Sequence, residues 1–337
     1  MRFVAFLLFF AALAAQAAVG VTELPDLEGD GPVTVFYPSS GAELPIKRGP
    51  FTLSVAGQGA PVRGNGRLVI LSHGSGGSPW VHADLARALV DAGFIAALPE
   101  HRGDNYQDPG SPGPDSWKKR PAEVSRAIDA AGRDARFAPL LKLDKVGMYG
   151  MSAGGHTALS LAGGRWSPSG LKRHCEAHIA EDFPACVGLA TRLRGNFLDS
   201  FKIWTSLFLI GQKFSDATWF SYSEPRVQAI IASVPYAADF DMASLAAPRM
   251  PLGLVNMGGD KWLAPRFHGE AVLKACPACT SVANLPNGGH GAMLSPLPPG
   301  LPEAAALLLN DPPGFDRGLL PDVDRRIADF FRKHLLP

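Results

Sequence analysis

Ser152 stands at the centre of Gly150-Met151-Ser152-Ala153-Gly154, a G-x-S-x-G run. Five residues alone are a loose pattern, and a glycine-rich turn with an incidental serine is the bland alternative. The flanks narrow it: residues 146–149 read as a strand, and 156–162 as a small-residue helix. A sharp strand-to-helix turn lifts a serine hydroxyl clear of a sheet, and glycines on either side let the backbone pass closely enough to make that turn.

A serine hydroxyl needs a base to take its proton. In this arrangement the acid and the histidine follow the serine, each after a later strand. His174, His178, His268 and His290 lie far enough downstream. His290 has the best setting, in Asn287-Gly288-Gly289-His290-Gly291 after the strand-like run 280–285. His268 reads as a surface or packing residue in a helix, and His156 as a packing residue beside the serine turn. For the carboxylate, Asp260 closes Asn256-Met257-Gly258-Gly259-Asp260 after another strand. Asp239 and Asp241, after the strand before that, are the alternatives. Backbone amides for a developing oxyanion are expected from Ala153 and from His73-Gly74-Ser75-Gly76-Gly77. Ser75 is the preferred donor there and Gly76 the alternative; a plain glycine turn is the competing reading.

These residues need a frame. Continuous apolar runs at 67–71, 94–98 and 146–149 alternate with helical spacing at 83–92 and 122–131. Strand-like runs resume at 227–234, 251–256 and 280–285, and an amphipathic helix closes the chain at 323–335. Such alternation predicts an α/β fold with a mostly parallel central sheet and helices on both faces. Residues 33–37 and 51–55 read as short exposed strands, and 296–313 as a proline-rich loop. Between 163 and 225 the alternation stops, which predicts a helical insertion, either a lid or an extra packed helix pair. No repeat or long linker divides the chain, so 18–337 reads as one domain.

The segments His73 to Gly77, Pro99-Glu100-His101-Arg102, Gly150 to Gly155, Asp260 and Gly289-His290 together resemble the exported dienelactone-hydrolase-like branch of the α/β-hydrolases. That branch is related to platelet-activating-factor acetylhydrolases and, more distantly, to cutinase-type polyesterases. The resemblance runs from about residue 33 to the C-terminus. It implies an α/β-hydrolase fold and ester cleavage by Ser152, His290 and Asp260, with no metal or organic cofactor. Dienelactone hydrolases carry a cysteine where Ser152 stands. Platelet-activating-factor acetylhydrolases carry their acid after the sixth strand, where this chain reads Ser233-Val234-Pro235-Tyr236, which favours Asp260.

The remaining composition agrees. With 337 residues, 46% hydrophobic and a net charge of +1, the chain can bury a large core but lacks the basic excess of a nucleic-acid-binding surface. Lys118-Lys119-Arg120 is too short a cluster to alter that. Arg2, the apolar run 3–14 and Ala15-Gln16-Ala17 read as a signal peptide (1–17), with the mature chain starting near Ala18. The run is short for a span of about 20 residues. Cys175, Cys186, Cys276 and Cys279 then suggest two disulfides; proximity favours Cys175–Cys186 and Cys276–Cys279, though three pairings are open. The late Cys276-Pro277-Ala278-Cys279 reads as structural rather than redox-active, and no further soft ligands suggest zinc. Trp80, Trp117, Trp262 and Trp219-Phe220 could line a pocket or simply fill the core, and Asp104 and Asn105 could border the cleft. The expectation is an exported serine esterase acting on a small-molecule or lipid ester, at a membrane surface or away from one. A non-catalytic binding protein is the reading from another class.

Overall fold

The computed structural model describes residues 17–25, 27–57 and 59–337. The expected leader, apart from Ala17, lies outside the described residues. Eight strands form the central sheet: β1 (Ala18–Leu24), β2 (Val33–Ser39), β3 (Leu68–Ser72), β4 (Ile95–Pro99), β5 (Val146–Met151), β6 (Val227–Ser233), β7 (Leu252–Met257) and β8 (Thr280–Leu285). Their order is β1-β2-β4-β3-β5-β6-β7-β8. The β1–β2 and β2–β4 pairs are antiparallel and the remaining pairs parallel. Every residue of β3, β4, β5 and β7 is buried, as unbroken apolar runs require when helices cover both faces of a parallel sheet.

Helix α1 (Ala83–Asp91) lies on one face. A single turn, α2 (Pro114–Trp117), leads into α3 (Arg120–Arg133) on the opposite face, where α4 (Ala153–Leu161) packs beside it. The insertion supplies α5 (Pro168–His178), α6 (Phe183–Val187) and α7 (Leu198–Lys213). After it come α8 (Gly269–Ala275) and α9 (Glu303–Leu309), and α10 (Leu320–Leu335) returns to pack against α1. Two apolar cores result. One joins α1 and α10 to the sheet, and the other joins α3, α4, α8 and the insertion to its far side.

Two expectations need correction. The run at 33–37 is not exposed: β2 is buried along its whole length because β1, unforeseen, pairs with it from Ala18 to Leu24 while β4 closes its other side. Only the hairpin Leu44–Arg48 with Phe51–Val55 keeps the half-exposed character, with Phe51, Leu53 and Val55 inward and Thr52 and Ser54 outward. The stretch 296–313 is not all loop, since Glu303–Leu309 winds into a helix between its flanking prolines.

Both disulfides pair as proximity suggested. Cys175–Cys186 staples α5 to α6, and Cys276–Cys279 closes the turn from α8 into β8. Leu171, Ile179 and Phe183 join the two buried cysteines and Trp166 in the core, so the α5–α6 part of the insertion is a packed extension of the fold. Helix α7 differs: Ile210 is its one fully buried residue, while Phe201, Trp204 and Phe208 stand in an exposed row. Among the described residues, no helix is long and apolar enough to cross a membrane.

Candidate active site

Strand β5 runs into Ser152, whose backbone takes φ 57° and ψ −115° before α4 begins. That left-handed conformation is strained for any residue with a Cβ. Its neighbours make it possible. A Cβ at Gly150 would lie 1.9 Å from the Gly154 carbonyl oxygen, and one at Gly154 would lie 2.0 Å from the Ser72 carbonyl oxygen. Neither position admits a side chain. The Ser152 amide donates to the Ser233 carbonyl at the end of β6 (3.0 Å), and the Tyr236 amide donates to the Ser152 carbonyl (3.2 Å).

Because β5, β7 and β8 run parallel, their C-terminal ends open onto the same edge of the sheet, and the loops that follow meet there. Gly259 N–H donates to the Gly288 carbonyl at 2.9 Å, joining the loop of Asp260 to that of His290. The result is a row of three side chains. Ser152 Oγ donates to His290 Nε2 at 2.9 Å, and His290 Nδ1–H donates to Asp260 Oδ2 at 2.7 Å. A carboxylate accepts only, so the proton lies on Nδ1 and Nε2 is free to take the serine proton. Asp260 Oδ1 accepts the amides of Trp262 (2.8 Å) and Leu263 (2.9 Å), which fixes the carboxylate's angle. His290 and Asp260 are buried, whereas Ser152 is half-buried. The Trp262 ring leans on the imidazole at 5.3 Å between centroids.

The loop after β3 lies against the serine: a Cβ at Gly74 would sit 3.3 Å from Ser152 Cβ. Of the two amides weighed there, Gly76 N–H is spent on Asp104 Oδ1 at 3.0 Å. The amides of Ser75 and Ala153 have no acceptor among the described residues, and so remain available as donors.

Asp104 does not border an open cleft. It is wholly buried and paired with an equally buried Arg120, Nη2 to Oδ2, at 2.8 Å. Arg120 also donates to the carbonyls of His73 (2.6 Å) and Asp104 (3.2 Å) and, from Nε, to Ser116 Oγ (2.9 Å). Burial pulls the guanidinium down from its usual pKa, while Asp104 and Glu123 oppose that shift. Nothing local marked this pair, because Arg120 reads as the end of a surface cluster.

Beneath it lies a second row with the same group types, Ser72 Oγ to His101 Nε2 (2.7 Å) and His101 Nδ1 to Glu123 Oε2 (2.5 Å). Burial drives His101 well below its ordinary pKa and raises Glu123. Ser72, His101 and Glu123 are all buried, so this row has no access to a substrate. It packs the base of the loop, with the His101 amide donating to His73 Nε2 at 3.2 Å.

The other candidates are brought elsewhere. His156 Nε2 faces Asp239 Oδ2 at 3.1 Å and stacks on Trp117. Asp241 caps the turn Met242–Leu245 and pairs with Arg165. His178 is exposed beside Glu181. His174, Asp182 and His268 bring ligand-type atoms within 4.8 Å of one another, yet protons already occupy the gaps. His268 Nδ1 accepts the Ala237 amide at 3.0 Å, which leaves the proton on Nε2, donated to Asp182 Oδ2 at 2.9 Å. His174 Nε2 lies 2.8 Å from the same oxygen. Burial acts to raise the Asp182 carboxyl, but its interactions with His174 and His268 and the hydrogen bond from the Ala264 amide together hold it well below the usual range. Trp80 and Trp117 are core residues and Trp219 is exposed; of the tryptophans considered, Trp262 alone touches the row at Ser152. No family model matches this chain, and no curated protein matches it.

Proposed function

We propose that the protein is a serine hydrolase of carboxylic esters, on an α/β-hydrolase fold of the dienelactone-hydrolase-like kind. The observation that carries this is the hydrogen-bonded row Ser152–His290–Asp260 at 2.9 and 2.7 Å, set on a strained strand-to-helix turn. In this reading Ser152 Oγ attacks the ester carbonyl while His290 Nε2 accepts its proton. Asp260 holds the imidazole in the required tautomer and stabilises the imidazolium that forms. The Ser75 and Ala153 amides bind the tetrahedral oxyanion. His290 then protonates the leaving alcohol, and a water activated by the same imidazole discharges the acyl-enzyme. No step calls for a metal or organic cofactor. The strand order, with antiparallel pairing confined to β1–β2 and β2–β4, supports the fold family. The two disulfides support export to an oxidising compartment.

A fluorophosphonate probe tests the reading. It should label Ser152 in the native chain and leave Ser152→Ala untouched; failure to label, or equal labelling of both, would favour a non-catalytic binding protein on the same frame. A second reading within the enzymes, a lipase or phospholipid acetylhydrolase at a membrane surface, is favoured by the exposed aromatic row on α7. Activity that rises once a lipid ester aggregates would select it.

A further inference from the structure

We infer that the buried Asp104–Arg120 pair is the positioning device of the oxyanion loop, and that the Ser75 hydroxyl is its handle rather than a contact for substrate. This rests on the serine-esterase reading of Ser152. Asp104 Oδ1 gathers two donors from adjacent residues, Ser75 Oγ at 2.5 Å and Gly76 N–H at 3.0 Å. Its other oxygen takes Arg120 at 2.8 Å, and Arg120 reaches back to the His73 carbonyl at 2.6 Å. The loop 73–76 is thereby held at both ends by one ion pair. With Gly76 N–H consumed and the Ser75 side chain turned to Asp104, the Ser75 amide keeps no acceptor among the described residues, on a loop whose Gly74 lies against Ser152.

Stability alone gives little reason for such a pair. Removing two charges from water costs about as much as their attraction returns, and apolar residues of similar volume serve a core as well or better. A fully satisfied buried network does enforce a single geometry. An oxyanion donor acts only where it is preorganised, within a few tenths of an ångström of the developing charge. The pair therefore belongs to the transition state rather than to substrate binding: loosening it should lower kcat and leave KM alone.

The experiment compares wild type with Ser75→Ala, Ser75→Thr and Asp104→Asn, using p-nitrophenyl acetate turnover and a trifluoromethyl ketone whose adduct carries the oxyanion. Ser75→Ala keeps the amide and loses only the handle. Its kcat and its affinity for the ketone should both fall about 10-fold, with KM within about twofold. Ser75→Thr, which keeps the hydroxyl, should restore both. Asp104→Asn should lose about 100-fold in kcat, near the effect of deleting an oxyanion donor. If Asp104→Asn does not fold, the Ser75 pair decides. Ser75→Ala with unchanged kcat and ketone affinity overturns the inference, as does a loss confined to KM. A wild type that no fluorophosphonate labels brings down the esterase reading, and this inference with it. A labelled wild type with indifferent variants brings down this inference only.

Discussion

The Asp182 carboxylate, at the start of α6, accepts the amide of Ala264 at 3.0 Å. Ala264 directly follows Leu263, whose own amide is bound by Asp260. The insertion therefore holds one end of the short loop that orients the candidate acid. The other Asp182 oxygen is fixed by His174 and His268, so the link is stiff.

Asp182→Asn should consequently be felt at Ser152. The amide cannot accept from both imidazoles and from Ala264 as the carboxylate does, and leaving a buried donor unpaired costs about 1–3 kcal/mol. Urea unfolding should register that loss, and ester turnover should fall with it. Stability lost at constant kcat would mean the link is only structural.

Each member of the Ser152 row should be needed, in a graded way. Ser152→Ala and His290→Ala should nearly abolish p-nitrophenyl acetate turnover. Asp260→Asn keeps the shape but reverses the preferred tautomer, and kcat should drop by about 10⁴. Turnover in His290→Ala close to wild type would remove His290 as the base.

The two disulfides should differ in worth. Cys175–Cys186 closes a separation of 11 residues and Cys276–Cys279 one of 3. Loop entropy then favours the first, at about 3 kcal/mol against under 2 for the second. Thermal melts of the two double-alanine variants should rank in that order. Equal losses would show that strain or residual structure outweighs loop length.

Asp324, on α10, supplies the pH prediction. Burial, with a smaller contribution from the charge of Asp84, raises its pKa to about 7. Arg87, Arg317, Arg325 and Arg332 line the same cleft, but their ion-pair partners are Glu43, Asp311, Asp322 and Asp329. The unfolded chain releases this proton near pH 4. Between about pH 4 and 7 the folded state thus holds a proton that the unfolded state has lost, and stability falls as pH rises through that window. Asp324→Asn should raise Tm relative to wild type, and by more at pH 8 than at pH 5. An equal shift at both values would contradict the ionisation.

What the sequence made legible follows from how local each signal is. The turn at Ser152 announces itself within ten residues, through a strand, two glycines and a helix. Asp260 and His290 were readable because each leaves a strand through glycines. β1 is not legible, since its residues continue straight from a leader-like run, and the burial of β2 depends on that partner. Helix α9 hid between prolines that read as loop. Arg120 sits next to two lysines and has the composition of a surface, yet it is wholly buried because Asp104, 16 residues away in the chain, meets it beneath the loop. Pairings of that sort are made by the fold and leave no periodicity to find.

The positive φ at Ser152 has a thermodynamic corollary. A serine held at φ 57° weakens the fold by about 1–3 kcal/mol against a residue at ease there. Glycine is such a residue, and Ser152→Gly should melt higher than Ser152→Ala, which keeps the strain. For folding alone glycine would be the better residue at this position, so the strain at Ser152 is a cost that the role proposed for its hydroxyl would explain.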